Sequence, residues 1–175
     1  MHTPVVRIAV HGAAGRMGIE VLRAIQARRD CELAVALVRA ASGWVDEPLS
    51  LALGSAAPDQ DFKAALDPDI EIQTLIDFST PDALETALTM ALQRKVAFVC
   101  GTTGLNTPAM ARLREAARQI PVLWSANFSL GVALLKRVAA MAAAQLGPEF
   151  DAEILEVHHR HKKDAPSGTA LALGR

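Results

Sequence analysis

The densest chemistry in the chain lies near its C-terminal end, in Glu156-Val157-His158-His159-Arg160-His161-Lys162-Lys163-Asp164-Ala165-Pro166-Ser167-Gly168-Thr169. Three of the five histidines and three cations, Arg160, Lys162 and Lys163, crowd into this stretch. Two unit charges about 4 Å apart repel by about 4 kcal/mol at an effective dielectric constant of about 20, so the crowding needs solvent or anions to offset it. Three readings are open. A solvated basic loop is the plainest. A metal site would use His158, His159 and His161, but in an extended chain His159 points away from the other two, and no second ligand set follows. The third is an acid-catalytic loop that also binds a dicarboxylate. Histidine donates a proton near neutral pH, and a lysine crowded by other cations becomes a better proton donor. Pro166-Ser167-Gly168-Thr169 then opens a helix whose N–H groups and Thr hydroxyl suit a carboxylate.

A second motif lies at the other end. Gly12-Ala13-Ala14-Gly15-Arg16-Met17-Gly18 follows an apolar run and precedes a helical pattern, with the spacing G-x-x-G-x-x-G. Its first turn is one residue longer than in the commoner dinucleotide fingerprint. Glycines allow close backbone approach, and free N–H groups at a helix start suit a pyrophosphate. Arg16 is placed to add a charge-assisted hydrogen bond. The second strand of such a fold normally ends on an acid that binds the adenosine ribose; here it reads Leu37-Val38-Arg39. Arg39 offers a cation for a 2′-phosphate and a plane for adenine, so NADPH is expected to serve at least as well as NADH.

Three further segments carry suitable chemistry at strand ends: Asp77-Phe78-Ser79-Thr80, Gly101-Thr102-Thr103-Gly104 and Ser125-Ala126-Asn127-Phe128. Each alone reads as an ordinary turn. Their recurrence beyond the carboxyl ends of parallel strands is what points to a ligand, with Phe78 and Phe128 as walls for a nicotinamide. Cys100 reads as a small buried hydrophobe rather than a nucleophile.

The elements that must position these groups alternate. Strand Val5 to Val10, a helix with Met17, Val21, Leu22 and Ile25 on one face, and strand Glu32 to Val38 form a βαβ unit. Residues 40–70 are rich in turn signals and read as loops with one short strand. Then follow strand Ile72 to Phe78, helix Asp82 to Arg94, strand Val96 to Cys100, helix Thr107 to Gln119 and strand Val122 to Trp124. The helix Leu130 to Leu146 is apolar on nearly every side and suits burial between domains or subunits. A last strand, Glu153 to His158, leads into the polar loop and a new helix near Gly168. The expected class is α/β, a Rossmann-like doubly wound parallel sheet over residues 1–127, followed by the beginning of an α+β substrate domain over 128–175.

Taken together, the Gly12 to Gly18 turn, Gly101-Thr102-Thr103-Gly104, Asn127-Phe128-Ser129, and above all His158-His159-Arg160-His161-Lys162 with Asp164-Ala165-Pro166-Ser167-Gly168-Thr169, resemble the 4-hydroxy-tetrahydrodipicolinate reductase (dihydrodipicolinate reductase) family over essentially the whole chain. The glycine turn is weakly diagnostic and the final stretch highly specific. The resemblance implies NAD(P)H-dependent reduction of 4-hydroxy-tetrahydrodipicolinate to tetrahydrodipicolinate in diaminopimelate and lysine biosynthesis, by a homotetramer. It implies that His158 exchanges the proton, that Lys162 is a second proton donor, and that His159, Gly168 and Thr169 hold a small cyclic dicarboxylate. Gly12, Ala13, Ala14, Gly15, Arg16, Met17, Arg39, Gly101, Thr102, Thr103, Ser125, Ala126, Asn127 and Phe128 would contact NADPH or NADH, and no metal is implied. Two departures stand out. Val38 replaces the acidic ribose ligand that relatives often carry, and the chain stops at Gly174-Arg175, inside a helix that relatives continue. The expectation is a C-terminally truncated member, with a non-catalytic NAD(P)-binding module as the alternative.

Bulk properties are consistent with this. In 175 residues, 51% hydrophobic against 21% charged supports a packed core rather than disorder. A net charge of −1 supplies no general basic field for nucleic acid or anionic membranes. Cys31 and Cys100 are too few for a disulfide framework, and the N-terminus lacks a signal-peptide pattern, so a cytoplasmic location is expected.

Overall fold

The computed structural model of the chain describes residues 4–158, 160 and 165–174. The chain divides into two compact units, Met1–Trp124 and Ser125–Arg175. In the first, β-branched residues at Val6, Ile8 and Val10 build β1 (Val6–His11), which passes through the glycine turn into α1 (Arg16–Gln26). Gly18, Leu22 and Ile25 recur at helical spacing and form the buried face of α1. β2 (Cys31–Leu37), α2 (Ser50–Leu53), β3 (Phe62–Lys63) and β4 (Thr74–Asp77) follow. A 3₁₀ turn at Pro81–Ala83 then leads into α3 (Leu84–Arg94), and β5 (Ala97–Cys100), α4 (Thr107–Ala116) and β6 (Val122–Trp124) complete the unit.

The six strands lie in the order β3-β2-β1-β4-β5-β6, with every pairing parallel. Alternation along the central strands divides the core between two faces. Ile8, Val10, Leu33 and Ala36 pack with Leu22, Ile25, Leu49 and Phe62. Ala9, Val35, Leu37, Leu75 and Phe98 pack with Leu84, Leu88 and Ala91 of α3 and Leu113 of α4. Covering both faces removes the apolar surface of each strand from water, and full burial of side chains such as Phe62 or Phe98 is worth roughly 2–3 kcal/mol apiece. The strand order reverses between β1 and β4, which opens a crevice at their carboxyl ends.

The expected alternation of strands and helices holds, with shifts at the boundaries. The helix expected from Asp82 begins as the 3₁₀ turn, where Pro81 is tolerated because the first N–H groups of a helix have no intrahelical partner, and Lys95 at φ 53° ends α3. Within residues 40–70 the single short strand is β3, and α2 is an addition that turn signals had concealed.

The second unit contains α5 (Leu130–Leu146) and α6 (Gly168–Leu173). The strand expected at Glu153 to His158 is not formed. Ile154, Leu155 and Val157 are strand-compatible residues, but a strand exists only where a neighbour takes its backbone hydrogen bonds, and none of the described residues does so. Leu155 and Val157 are accordingly exposed. No residue of α5 is buried, and Leu130, Leu134 and Met141 present an open apolar surface. Among the described residues no helix is long and apolar enough to cross a membrane.

Candidate functional site

In the first unit a cavity of about 320 Å³ opens above the carboxyl ends of the strands. Its lining includes His11, Gly12, Ala14 and Gly15 from the first turn, Val38, Arg39, Ser42 and Trp44 after β2, and Phe78, Ser79 and Thr80 after β4. Gly12 is at φ +75°, and a Cβ there would lie 2.6 Å from the carbonyl oxygen of Phe78, so only glycine lets these two backbones touch. The turn is tied to the sheet by Ala13 N–H donating to Leu37 O at 3.0 Å. The N-cap of α1, Gly15, offers no side-chain acceptor, and the first turn holds no acidic residue. Its leading N–H groups and partial positive charge are therefore not covered by a side chain, a fit for the phosphates of a dinucleotide. Arg16, Met17 and Arg39 are exposed around this turn, and Val38 is buried.

Beneath the cavity lies a polar knot. The β1–β4 register sets His11 beside Asp77, and the β4–β5 register sets Asp77 beside Cys100. His11 Nδ1 lies 2.7 Å from Asp77 Oδ1, and Thr102 Oγ1 donates to Asp77 Oδ2 at 2.7 Å. The same threonine oxygen accepts from Ser79 N–H at 3.1 Å. Burial pushes the Asp77 carboxyl toward neutrality, but hydrogen bonds from His11, Ser79 and Thr102 outweigh it and hold the group below the usual carboxylate range. Cys100 is buried, its thiol pushed up to about 12 by burial, as befits a packing residue. Trp124 Nε1–H donates to Thr102 O at 3.1 Å, fixing the Gly101 to Thr103 backbone from β6. Thr103 itself is exposed.

In the second unit, Ser125 to Ser129 is a run of turns. Ser125 Oγ–H donates to Asn127 O at 2.7 Å, and Ser129 N–H donates to Asn127 Oδ1 at 2.7 Å. Asn127 Nδ2–H donates to Thr169 Oγ1 at 2.9 Å, joining this run to the start of α6. Ser167 caps α6 by accepting from Ala170 N–H at 3.1 Å, and Glu156 holds Ser167 through both its backbone N–H, at 2.7 Å, and its hydroxyl. His158 Nδ1 lies 3.6 Å from Glu156 Oε2, with the ring exposed. Ala126, Phe128 and Gly168 are exposed as well. His159 and Lys162 lie outside the described residues, as do His161, Lys163 and Asp164. Among the described residues no cluster of three or more His, Cys, Asp or Glu is placed to hold a metal ion.

The structure thus gathers Gly12 to Met17, Arg39 and Gly101 to Thr103 at the strand ends of the first unit, and Ser125 to Phe128 with Gly168 and Thr169 in the second. Three residues escaped sequence reasoning: His11, Ser42 and Trp44. The signal for the first was present, since His11 is a polar residue ending the apolar run Ile8-Ala9-Val10. Trp44 packs edge-on against Phe62, with ring centroids 5.3 Å apart, and that pairing across a loop leaves no periodic trace.

Comparison with known proteins agrees with this anatomy. Residues 6–128 match the family described as dihydrodipicolinate reductase, N-terminus, and residues 131–175 match dihydrodipicolinate reductase, C-terminus. The chain belongs to the dihydrodipicolinate reductase family. Relatives named 4-hydroxy-tetrahydrodipicolinate reductase include one from Pseudoalteromonas translucida (strain TAC 125), 43% identical over 96% of this chain and 62% of its own length. Another, from Thiobacillus denitrificans (strain ATCC 25259 / T1), is 42% identical over 97% of this chain and 64% of its own. The chain therefore spans less than two thirds of the length of these relatives. A dipicolinate-bound dihydrodipicolinate reductase from Paenisporosarcina sp. TG-14 superposes with a TM-score of 0.69 at 27% identity, covering 97% of this chain and 64% of that one. The WlbA dehydrogenase of Thermus thermophilus, solved with NAD and UDP-GlcNAcA, shares the fold at a TM-score of 0.56 and 20% identity, covering 78% of this chain and 47% of its own. The N-terminal match takes in the whole sheet, and the C-terminal match takes in α6 and all of α5 but Leu130.

Proposed function

We propose that this chain carries the cofactor-binding part and the first catalytic stretch of an NAD(P)H-dependent reductase acting on 4-hydroxy-tetrahydrodipicolinate in diaminopimelate and lysine biosynthesis. The observation that carries the reading is the cavity at the strand ends, floored by a glycine turn that leads into an uncapped helix. Residues 1–127 form the dinucleotide-binding part and residues 128–175 the first part of the substrate-binding part. A bound reduced nicotinamide would supply a hydride.

The protein's own residues do the rest. Gly12 to Met17 hold the pyrophosphate by backbone N–H groups, and Gly101 to Thr103 with Ser125 to Phe128 hold the nicotinamide end. Arg39 meets the adenosine end; with buried Val38 in the usual place of an acid, nothing there repels a 2′-phosphate, and NADPH is accepted alongside NADH. His159, Gly168 and Thr169 hold the cyclic dicarboxylate, while His158 and Lys162 deliver the proton. The exposed ring of His158 leaves it accessible for that transfer. Near-neutral net charge and two unpaired cysteines support a cytoplasmic enzyme, and the apolar surface of α5 supports burial against other subunits of a homotetramer.

Fluorescence titration with NADPH and NADH, paired with a reductase assay, tests the reading. Binding of NADPH is expected, and Lys162→Ala is expected to lower kcat by about 10²-fold or more while cofactor affinity holds. Full turnover in that variant would count decisively against the assignment.

A further inference from the structure

Of the four buried polar or charged residues among the described ones, three belong to one connected group: His11, Asp77 and Thr102. They sit at the ends of three adjacent strands, β1, β4 and β5, and each is within one residue of a segment that forms the cofactor cradle. Burying a carboxylate is costly, and an apolar layer would fill the same volume at lower cost, so the group's presence calls for a reason beyond packing.

Its hydrogen bonds have a single consistent direction. Ser79 N–H donates to Thr102 Oγ1, and the threonine hydroxyl donates onward to one Asp77 oxygen. The ionised carboxylate can only accept, so His11 carries its proton on Nδ1 and donates it to the other oxygen. The loops held this way have almost no slack. A Cβ at Gly12 would be 2.6 Å from Phe78 O, and one at Gly101 would be 2.0 Å from the Phe78 ring, so Phe78 is clasped between the two glycines. A shift of a few tenths of an ångström at any strand end moves the surface on which a cofactor would lie.

We infer that His11 is a positioning residue of the cofactor cradle, acting through Asp77 and Thr102 to set the Gly12 turn and the Gly101 to Thr103 segment in register. The inference rests on the reading of this cavity as an NAD(P)H site. His11 also lines that cavity, so it joins the buried knot to the surface that meets the ligand.

The test uses two substitutions in the 175-residue chain. In His11→Asn the side-chain amide takes the place of Nδ1 and keeps a donor for Asp77. In His11→Gln the amide reaches the position of Nε2 instead, which matches the ring in volume but loses that donor. NADPH dissociation constants are measured by fluorescence titration, with thermal melting followed in parallel. Asn is expected to stay within about threefold of the parent and Gln to weaken binding by about tenfold or more, the scale of a small misplacement of binding groups. A space-filling role would reverse that order, and Gln binding as well as the parent, or Asn failing as badly as Gln, overturns the inference. If the unaltered chain does not bind NADPH, the cavity reading falls and takes this inference with it. A Gln variant too unstable to titrate leaves the Asn result to decide by the same threefold criterion.

Discussion

At the start of α1 the N-cap is Gly15, which has no side chain to offer and no acid in the turn that follows. At the start of α6 the N-cap Ser167 accepts from Ala170 N–H and is itself gripped by Glu156. One turn is left chemically open while its backbone is held from beneath by close contacts at Gly12 and Gly18. The other is satisfied by the chain's own side chains and lies among exposed residues. The contrast separates two ways of building a ligand-facing loop: rigidity from a sheet core beneath, or local hydrogen bonds between neighbours in sequence.

The strongest way to break this contrast is to add atoms at each turn. Gly12→Val meets both the Phe78 backbone and an unfavourable positive φ, and is expected to cost about 3 kcal/mol or more. Gly168→Ala meets only Ala126 Cβ at 3.9 Å and should change stability by less than about 0.5 kcal/mol. Urea unfolding of both variants measures the difference; similar losses would erase the distinction.

A second, smaller effect concerns charge. Asp77→Asn removes the ionised acceptor from the buried knot and is expected to cost about 1–3 kcal/mol at pH 7. Because the folded carboxyl titrates below its ordinary value of 3.8, its contribution is complete above that pH and is lost as pH falls toward the lowered folded value. The gap in melting temperature between parent and variant should therefore be constant from pH 7 to about 5 and close below about 4. A gap that widens on acidification would contradict the assignment of Asp77 as an ionised acceptor.

The mildest probe distinguishes the two cysteines. Cys31 is half-buried, whereas Cys100 lies under the cradle with its thiol pushed up to about 12. A thiol reagent at pH 8 should label Cys31 in the folded protein and reach Cys100 only on unfolding, read as one equivalent against two. Equal labelling of both in the native state would show that the core beneath the cradle opens readily.

Much of the first unit was legible because its signals are local. The β-branched run before Gly12 and the helical spacing of Val21, Leu22 and Ile25 act on their own neighbourhoods, although Met17, which the same spacing puts on that face, is exposed because the contact beside Leu22 and Ile25 is made by Gly18. The expected strand at Glu153 to His158 shows where such reading stops. Ile154, Leu155 and Val157 are of strand-forming type, but pairing is supplied by other parts of a protein and cannot be inferred from residue types alone. The His11–Asp77 bond, spanning 66 residues in sequence, was invisible for the same reason.

By itself the sequence determined the order of the elements of the first unit apart from α2, the glycine positions that a tight strand-to-helix turn demands, and the family, since residue types at fixed spacing survive without coordinates. Only the tertiary structure decided that His11, Asp77 and Thr102 form one buried group, that Trp44 and Ser42 line the cavity, and that Glu156 closes the start of α6. Strand register and loop packing bring together groups whose separation along the chain carries no signal, and hydrogen bonds between them depend on tenths of an ångström that only the assembled sheet fixes.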